Sequence, residues 1–270
     1  MWRKAAIVLA AFCASSAHAQ WSDGFDRPDG GIGGNWTAVS GTWAVQGSRG
    51  KHTSAGNDRI IHNGSAIEYQ NAAARVDCFL SDTTTQYSGI VIGQGASAGI
   101  LVKLQAQSGT GNFSNIGIYN TATLGTWTGT TVLPDGSTST AGFLNLPAGP
   151  AFSSARLFVS FPNVDVIRID IDINFDGIPD LTYSRDGVTS IAAGMGKAAG
   201  VGCFGSSASF DNVDIASAKT WSDDFNRASG ALDGNWTTLG GTWGVTANTG
   251  THTGAANDQV QFTNASVIYA

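Results

Sequence analysis

The chain has 270 residues, of which 36 are Gly and only 13% are charged, with a formal net charge of −6. Low charge with abundant Gly, Thr, Ser and Asn suits strands and turns rather than long helices, and the acidic balance disfavours nucleic-acid partners, whose phosphates it would repel. Of the 20 acidic residues, 19 are Asp and one, Glu68, is Glu, so a mechanism needing two glutamates in one site is excluded.

At the N-terminus Arg3 and Lys4 precede the short apolar run AAIVLAAFCA, and Ala17-His18-Ala19 offers a small-x-small cleavage site. Residues 1–19 therefore read as a secretory signal peptide, which predicts an exported protein, secreted or at the cell surface, starting at Gln20. The apolar run is shorter than the ~20 residues a membrane span needs, and no later segment is longer, so no membrane span is expected. Cys13 follows Phe12, where a lipoprotein signal would want a small residue, which favours export over lipid anchoring. Without the leader, 12 basic residues oppose 20 acidic ones, a net charge near −8. Two cysteines remain, Cys78 in VDCFLS and Cys203 in VGCFGS. An even count in an exported chain predicts a disulfide between them, the alternative being two buried thiols on separate strands.

WSDGFDRPDGGIGGNWTAVSGTW at 21–43 returns as WSDDFNRASGALDGNWTTLGGTW at 221–243, and 21 of the 49 positions from 21 to 69 recur at an offset of 200. That period is too long for a solenoid or propeller, so the repeating unit is a whole domain. The expected organisation is a domain at 20–217, a linker at 218–220, and the incomplete start of a second, homologous copy at 221–270. Some 50 residues bury too little surface to fold alone, so the second segment is read as part of a truncated tandem and is not expected to be stable by itself.

Within the first copy, strand-like runs follow one another: ARVDCFL, SGIVIGQ, GILVKLQAQ, NIGIYN, RLFVSFP, RIDIDINFD, DLTYS, AAGVGCFG and FDNVDIAS. Turn clusters such as SDTTTQ, QGASAG, QSGTGN and LPDGST separate them. Around RIDIDINFD the alternation puts Ile167, Ile169, Ile171, Ile173 and Phe175 on one face, and Arg168, Asp170, Asp172, Asn174 and Asp176 on the other. The prediction is an all-β fold, a two-sheet antiparallel sandwich of jelly-roll or Greek-key type.

The opening WSDGFDR…GGNW and the closing GVGCFGSSASFDNVDI resemble the first and last strands of concanavalin A-like lectin/glucanase domains, the superfamily of laminin-G-like modules and family 16 glycoside hydrolases. The resemblance covers both ends of 21–217, the middle matching only in strand pattern. It implies a jelly roll with its two termini side by side. It also implies a structural Ca²⁺ where Asp211 in FDNVDI meets the carbonyls of Gly24 and Phe25. The family's catalytic E-x-D-x-x-E is missing, so the implied member is a non-catalytic module that binds a glycan or another surface ligand. The alternatives are a glycan-degrading enzyme or its accessory domain, and a structural adhesin-type spacer.

Three further stretches carry candidate chemistry. DINFDGIPD sets Asp172, Asn174, Asp176, Gly177 and Asp180 at the spacing of a calcium loop, but position 12 is Tyr183 rather than the bidentate Glu, which leaves a plain β-hairpin turning at Asp176-Gly177 as the other reading. GASAG, around Ser97, fits a nucleophile elbow in letters only, since strand-like ILVKLQAQ follows where a helix is required. Aromatic rings stack on pyranose faces, and Trp127 in the turn-like GTWTGT, with Tyr119 and Tyr87, is the expected exposed sugar platform. Trp36 and Trp43 recur in the second copy and are assigned to packing, and His52 and His62 to surface or strand positions.

Overall fold

The computed structural model describes residues 21–149 and 151–217 and, in the second copy, 229–231, 236–238, 242–246, 249–252 and 260–262. The leader and the linker lie outside the described residues. The chain divides into two units, 1–218 and 219–269.

In the first unit the strands are β1 (Trp21–Asp23), β2 (Gly30–Gly31), β3 (Trp36–Ala38), β4 (Trp43–Val45), β5 (Gly50–His52), β6 (Asn57–His62), β7 (Ala72–Phe79), β8 (Gln86–Gln94), β9 (Ile100–Ala106), β10 (Phe113–Asn120), β11 (Thr131–Val132), β12 (Thr138–Ser139), β13 (Phe143–Asn145), β14 (Ser154–Asn163), β15 (Val166–Asp172), β16 (Leu181–Arg185), β17 (Ala198–Phe204) and β18 (Ser209–Ser217). One sheet runs β12-β11-β16-β15-β14-β7-β18-β5-β4-β2, with β1 paired to β18; the other runs β13-β10-β9-β8-β17-β6-β3. Every ladder pairs antiparallel strands, for example β7 with β14 and β8 with β9. The fold is a two-sheet antiparallel β-sandwich, and among the described residues the only α-helix is one turn at Thr189–Ala192. None is long and apolar enough to cross a membrane.

Alternation builds the core. Ile167, Ile169 and Ile171 from β15 meet Ile90 and Ile92 from β8 and Ile116 and Ile118 from β10 in one buried cluster between the sheets. Each such side chain stabilises the fold by about 1.5–3 kcal/mol. Strand β15 ends at Asp172; Ile173 still packs, half-buried, against the core, but Phe175 does not extend the buried face as the alternation predicts. Phe175 instead turns the chain at φ 62°.

The terminal strands lie side by side, with Trp21 opposite Ile215 and Asp23 opposite Val213. Asp23 explains why WSDxFxR…NW recurs. Its carboxylate accepts hydrogen bonds from the Phe25 N–H, from both Arg27 terminal nitrogens, and from Trp36 Nε1 at 2.8 Å. Burial alone would raise its pKa, and these donors outweigh burial and hold it below the usual value. Phe25 then packs on Trp36 at 5.8 Å and edge-on against Phe210 at 5.2 Å between ring centroids. Gly50 is obligatory there, since a Cβ would lie 2.4 Å from the Phe210 ring.

Cys78 on β7 and Cys203 on β17 are free, buried thiols, so the predicted disulfide is not formed. The reason is placement. The two residues belong to opposite sheets, about 10 Å apart face to face, whereas a bridge needs Cα atoms within ~7 Å. Burial raises both thiol pKa values, and Cys203 Sγ donates to Ser88 Oγ at 3.7 Å.

In the second unit the described strands are β19 (Gly230–Ala231), β20 (Trp236–Thr238), β21 (Trp243–Thr246), β22 (Thr249–His252) and β23 (Val260–Phe262). Their backbone registers repeat the first unit's at the same offset: position 243 pairs with 252 as 43 pairs with 52, and 236 pairs with 262 as 36 pairs with 62.

Candidate functional site

The expected platform does not assemble. Trp127 is 4% exposed. Its indole N–H donates to the Asp186 carbonyl at 2.8 Å, and the Arg185 guanidinium lies 5.3 Å from its ring centre. Arg185 is itself fully buried and donates to the carbonyls of Trp127, Gly129, Thr140 and Ala141 and to Thr131 Oγ1. Trp127 is thus the packed wall of a loop stapled from below. Tyr87 is also buried, at 2% exposure, and Tyr119 alone of the three is partly open to solvent.

Tyr87 and Tyr119 nevertheless mark a site. Both point away from the core, onto the outer face of the seven-stranded sheet. Registers align that face in rows. Gly117, Lys103, Gly89, Gly202 and Arg59 lie opposite one another across β10, β9, β8, β17 and β6, and Phe143 on β13 extends the row. The next row holds Asn145, Asn115, Gln105, Tyr87, Phe204 and Asn57.

This face is concave. A Cβ on Gly202 would lie 2.7 Å from Leu101 Cδ1, although β9 and β17 are separated by β8. Two strand spacings are about 9–10 Å, more than a leucine spans on a flat sheet, so the strands bend toward this side. The glycines make the depth: a Cβ on Gly117 would collide with Lys103 Cε and Tyr119 Cε2, each at 2.7 Å. Tyr87, Val91 and Leu101 are buried in the floor as a small second cluster, with Phe204 stacked on Tyr87 at 6.0 Å. Half-exposed Tyr119, Phe143 and Phe204 form the rim.

Lys103 stands in the centre. Its Nζ is 4.1 Å from the Tyr87 ring centre, 5.0 Å from Tyr119 and 6.0 Å from Phe143. Burial lowers its pKa to about 8 and raises those of Tyr87 and Tyr119. Beside it runs an amide ladder, in which Asn115 Nδ2 donates to Asn145 Oδ1 at 2.7 Å and Gln107 Nε2 donates to Asn115 Oδ1 at 3.2 Å. Sequence reasoning passed over Lys103, Phe143, Phe204 and the amides. The available signal was the polar half of GILVKLQAQ, NIGIYN and FLN, which alternation sends to the face opposite the core.

The calcium readings fall elsewhere. Asp172 is fully buried, and its Oδ2 accepts the Gly177 N–H at 2.9 Å while Oδ1 has no hydrogen-bond partner. Asn174 accepts the Asp176 N–H, Asp176 the Ile178 N–H, and Asp180 the Ile173 N–H. These side chains close the β15–β16 hairpin. Asp211 Oδ1 accepts the adjacent Asn212 N–H, and Asn212 Oδ1 lies 3.6 Å from where a Cβ on Gly24 would stand. Burial, with Asp26 and Asp77 adding to it, raises the Asp211 pKa. Among the described residues no three His, Cys, Asp or Glu side chains gather as a metal cluster.

A serine, a histidine and an aspartate do meet. His52 Nε2 lies 2.9 Å from Asp58 Oδ2 and 2.7 Å from Ser54 Oγ, with Nδ1 3.0 Å from the Gly205 carbonyl. Both partners share one ring nitrogen, whereas a catalytic triad uses one nitrogen for the nucleophile and the other for the carboxylate. His52 is fully buried rather than at the surface, so the cluster is packing. Ser97 sits in the β8–β9 turn, where the Gly95 N–H donates to the Ala98 carbonyl.

No family model matches the chain, and no curated protein matches it. Among solved structures the chain is similar to the carbohydrate-binding module CBM66 from Bacillus subtilis, at 14% identity over 70% of this chain and 100% of that one, with a TM-score of 0.42. It is similar to the CBM2 module of the evolved Dit of Lactobacillus casei BL23 phage J-1, at 9% identity over 74% and 96%, TM-score 0.46. A protein of unknown function with a galectin-like fold from Bacillus subtilis aligns at 8% identity over 74% and 96%, TM-score 0.42. At this distance no residue role passes from them to this chain.

Proposed function

We propose that the first unit is an exported, non-catalytic, lectin-like module that binds carbohydrate on the concave face of its seven-stranded sheet. The observation that carries this reading is the pairing of half-exposed rings, Tyr119, Phe143 and Phe204, with the amides of Asn145 and Gln105 on one concave surface. Rings take the apolar face of a pyranose and amides take its hydroxyls, and a concave, largely apolar floor with a few convergent polar groups is the usual form of a ligand site. Binding without turnover follows from the residue types. Among the described residues no carboxylate faces this surface, and hydrolysis by the common route needs two. Repetition of the unit would add avidity through effective concentration.

The test is affinity electrophoresis of the full chain through gels containing soluble polysaccharides, backed by a glycan microarray. The expected result is retardation by at least one polysaccharide, weakened tenfold or more in Tyr119→Ala/Phe143→Ala with the melting temperature almost unchanged. Retention untouched by that double variant, or no retention by any glycan, would overturn the proposal.

A further inference from the structure

The two outer faces of the sandwich treat charge differently. On the eleven-stranded sheet three cations each stand against a carboxylate: Arg156 with Asp77 at 2.7 Å, Arg168 with Asp170 at 2.8 Å, and Arg75 with Asp214. On the concave face the outward positions hold two cations, Lys103 and Arg59, and no Asp or Glu, in a chain where acidic residues outnumber basic ones by 20 to 14. Arg59 is committed, donating from Nη1 to the Thr121 carbonyl. Among the described residues Lys103 has only rings around it, and no carboxylate.

We propose that the carbohydrate held on this face is anionic, and that its carboxylate or sulfate oxygen pairs with Lys103 Nζ while neighbouring sugar hydroxyls meet Gln105 and Asn145. This inference rests on the glycan-binding reading above and narrows it. An ammonium half-buried among rings has lost water without gaining a counter-ion, and its depressed pKa reports that cost. An arriving anion restores what burial removed, and in so enclosed a place the pair is stronger than at an open surface. The rest of the molecule gives a polyanion no reason to bind, because the mature chain carries a net charge near −8. Attraction therefore has to be local.

The experiment measures retardation of the full chain at about 150 mM salt, where long-range charge effects are screened, in gels of polygalacturonate, fully methyl-esterified pectin, dextran sulfate and dextran. The expected result is tenfold or stronger preference for one anionic polymer over its uncharged counterpart. That preference should be lost in Lys103→Gln and largely kept in Lys103→Arg, with both variants melting at or above the wild-type temperature. Preference for polygalacturonate assigns a uronate, and preference for dextran sulfate assigns a sulfate ester. Equal retention by charged and uncharged polymers, or a preference that survives Lys103→Gln, overturns the anionic ligand and leaves glycan binding standing. Absence of retention by these polymers and by every glycan of the microarray overturns both.

Discussion

Trp127 and Arg185 hold one another, and the segment between β10 and β13, which carries β11 and β12, hangs from them. Removing the indole opens a cavity in the core, so Trp127→Ala should cost about 3–5 kcal/mol, read as a lower urea midpoint at constant slope. Arg185→Ala leaves several loop carbonyls without a donor, each orphan costing about 1–3 kcal/mol. It should destabilise by at least as much as the weakest of these, and Arg185→Lys should fail to rescue, because one ammonium cannot span the fork's acceptors. Wild-type stability after Trp127→Ala would restore the exposed platform. GTWTGT looks like an open turn because its neighbours are Gly and Thr, and nothing local tells that Arg185 lies beneath it. Lys103 makes a prediction of the same scale. Its folded pKa of about 8 is below that of an unfolded lysine, so the unfolded chain binds more protons in between, and stability rises with pH from about 8 toward 10. The raised pKa values of the buried thiols Cys78 and Cys203 act the other way within that window, and those of Tyr87 and Tyr119 above it. Arg59 is the other charged group on this face. The melting-temperature difference between wild type and Lys103→Met should therefore move in favour of wild type from pH 7 to 10; a difference that stays constant would contradict the buried ammonium.

The β15–β16 hairpin shows what an element discloses. Its strand was legible through the alternation of Ile167, Ile169 and Ile171, and its turn through Asp176-Gly177. Where β15 ends was not legible, because the alternation of apolar residues continues through Ile173 and Phe175 while the backbone has already turned. Asp172→Ala removes the acceptor of the Gly177 N–H and should destabilise by about 1–3 kcal/mol. The spacing of this loop allowed two readings, a plain hairpin and a calcium loop, and in the second the unpartnered Asp172 Oδ1 is the atom that would meet the ion. An ion bound only to the folded state adds about 2.7 kcal/mol at a hundredfold excess over Kd. Chelation should lower the melting temperature of wild type and not of Asp172→Ala, and sensitivity lost in Asp211→Ala instead would move the ion to the terminal strands. Indifference of both to chelator would mean that N–H donors alone close the loop.

At the scale of the molecule, alternation and turn chemistry sufficed for the sandwich, and the repeat singled out Asp23, Phe25, Arg27 and Trp36 without revealing that they form a hub that fastens the first strand. The concave face was illegible for a different reason. It is assembled from strands distant in sequence, from β6 to β17, and no window of the chain holds Lys103, Tyr119 and Phe204 together. The cysteines test the assembled core. Cys78 and Cys203 face inward from opposite sheets, so neither thiol can meet a reagent until the sheets part. Both are also held in the unreactive protonated form by burial. Ellman's reagent should therefore label neither Cys78 nor Cys203 in native buffer and both together in urea, with a midpoint that coincides with the loss of tryptophan fluorescence. Labelling well below that midpoint would mean that one sheet opens before the other, and an S–S bond found by non-reducing mass spectrometry would mean that the sheets approach more closely at Cys78 and Cys203 than the packing described here allows.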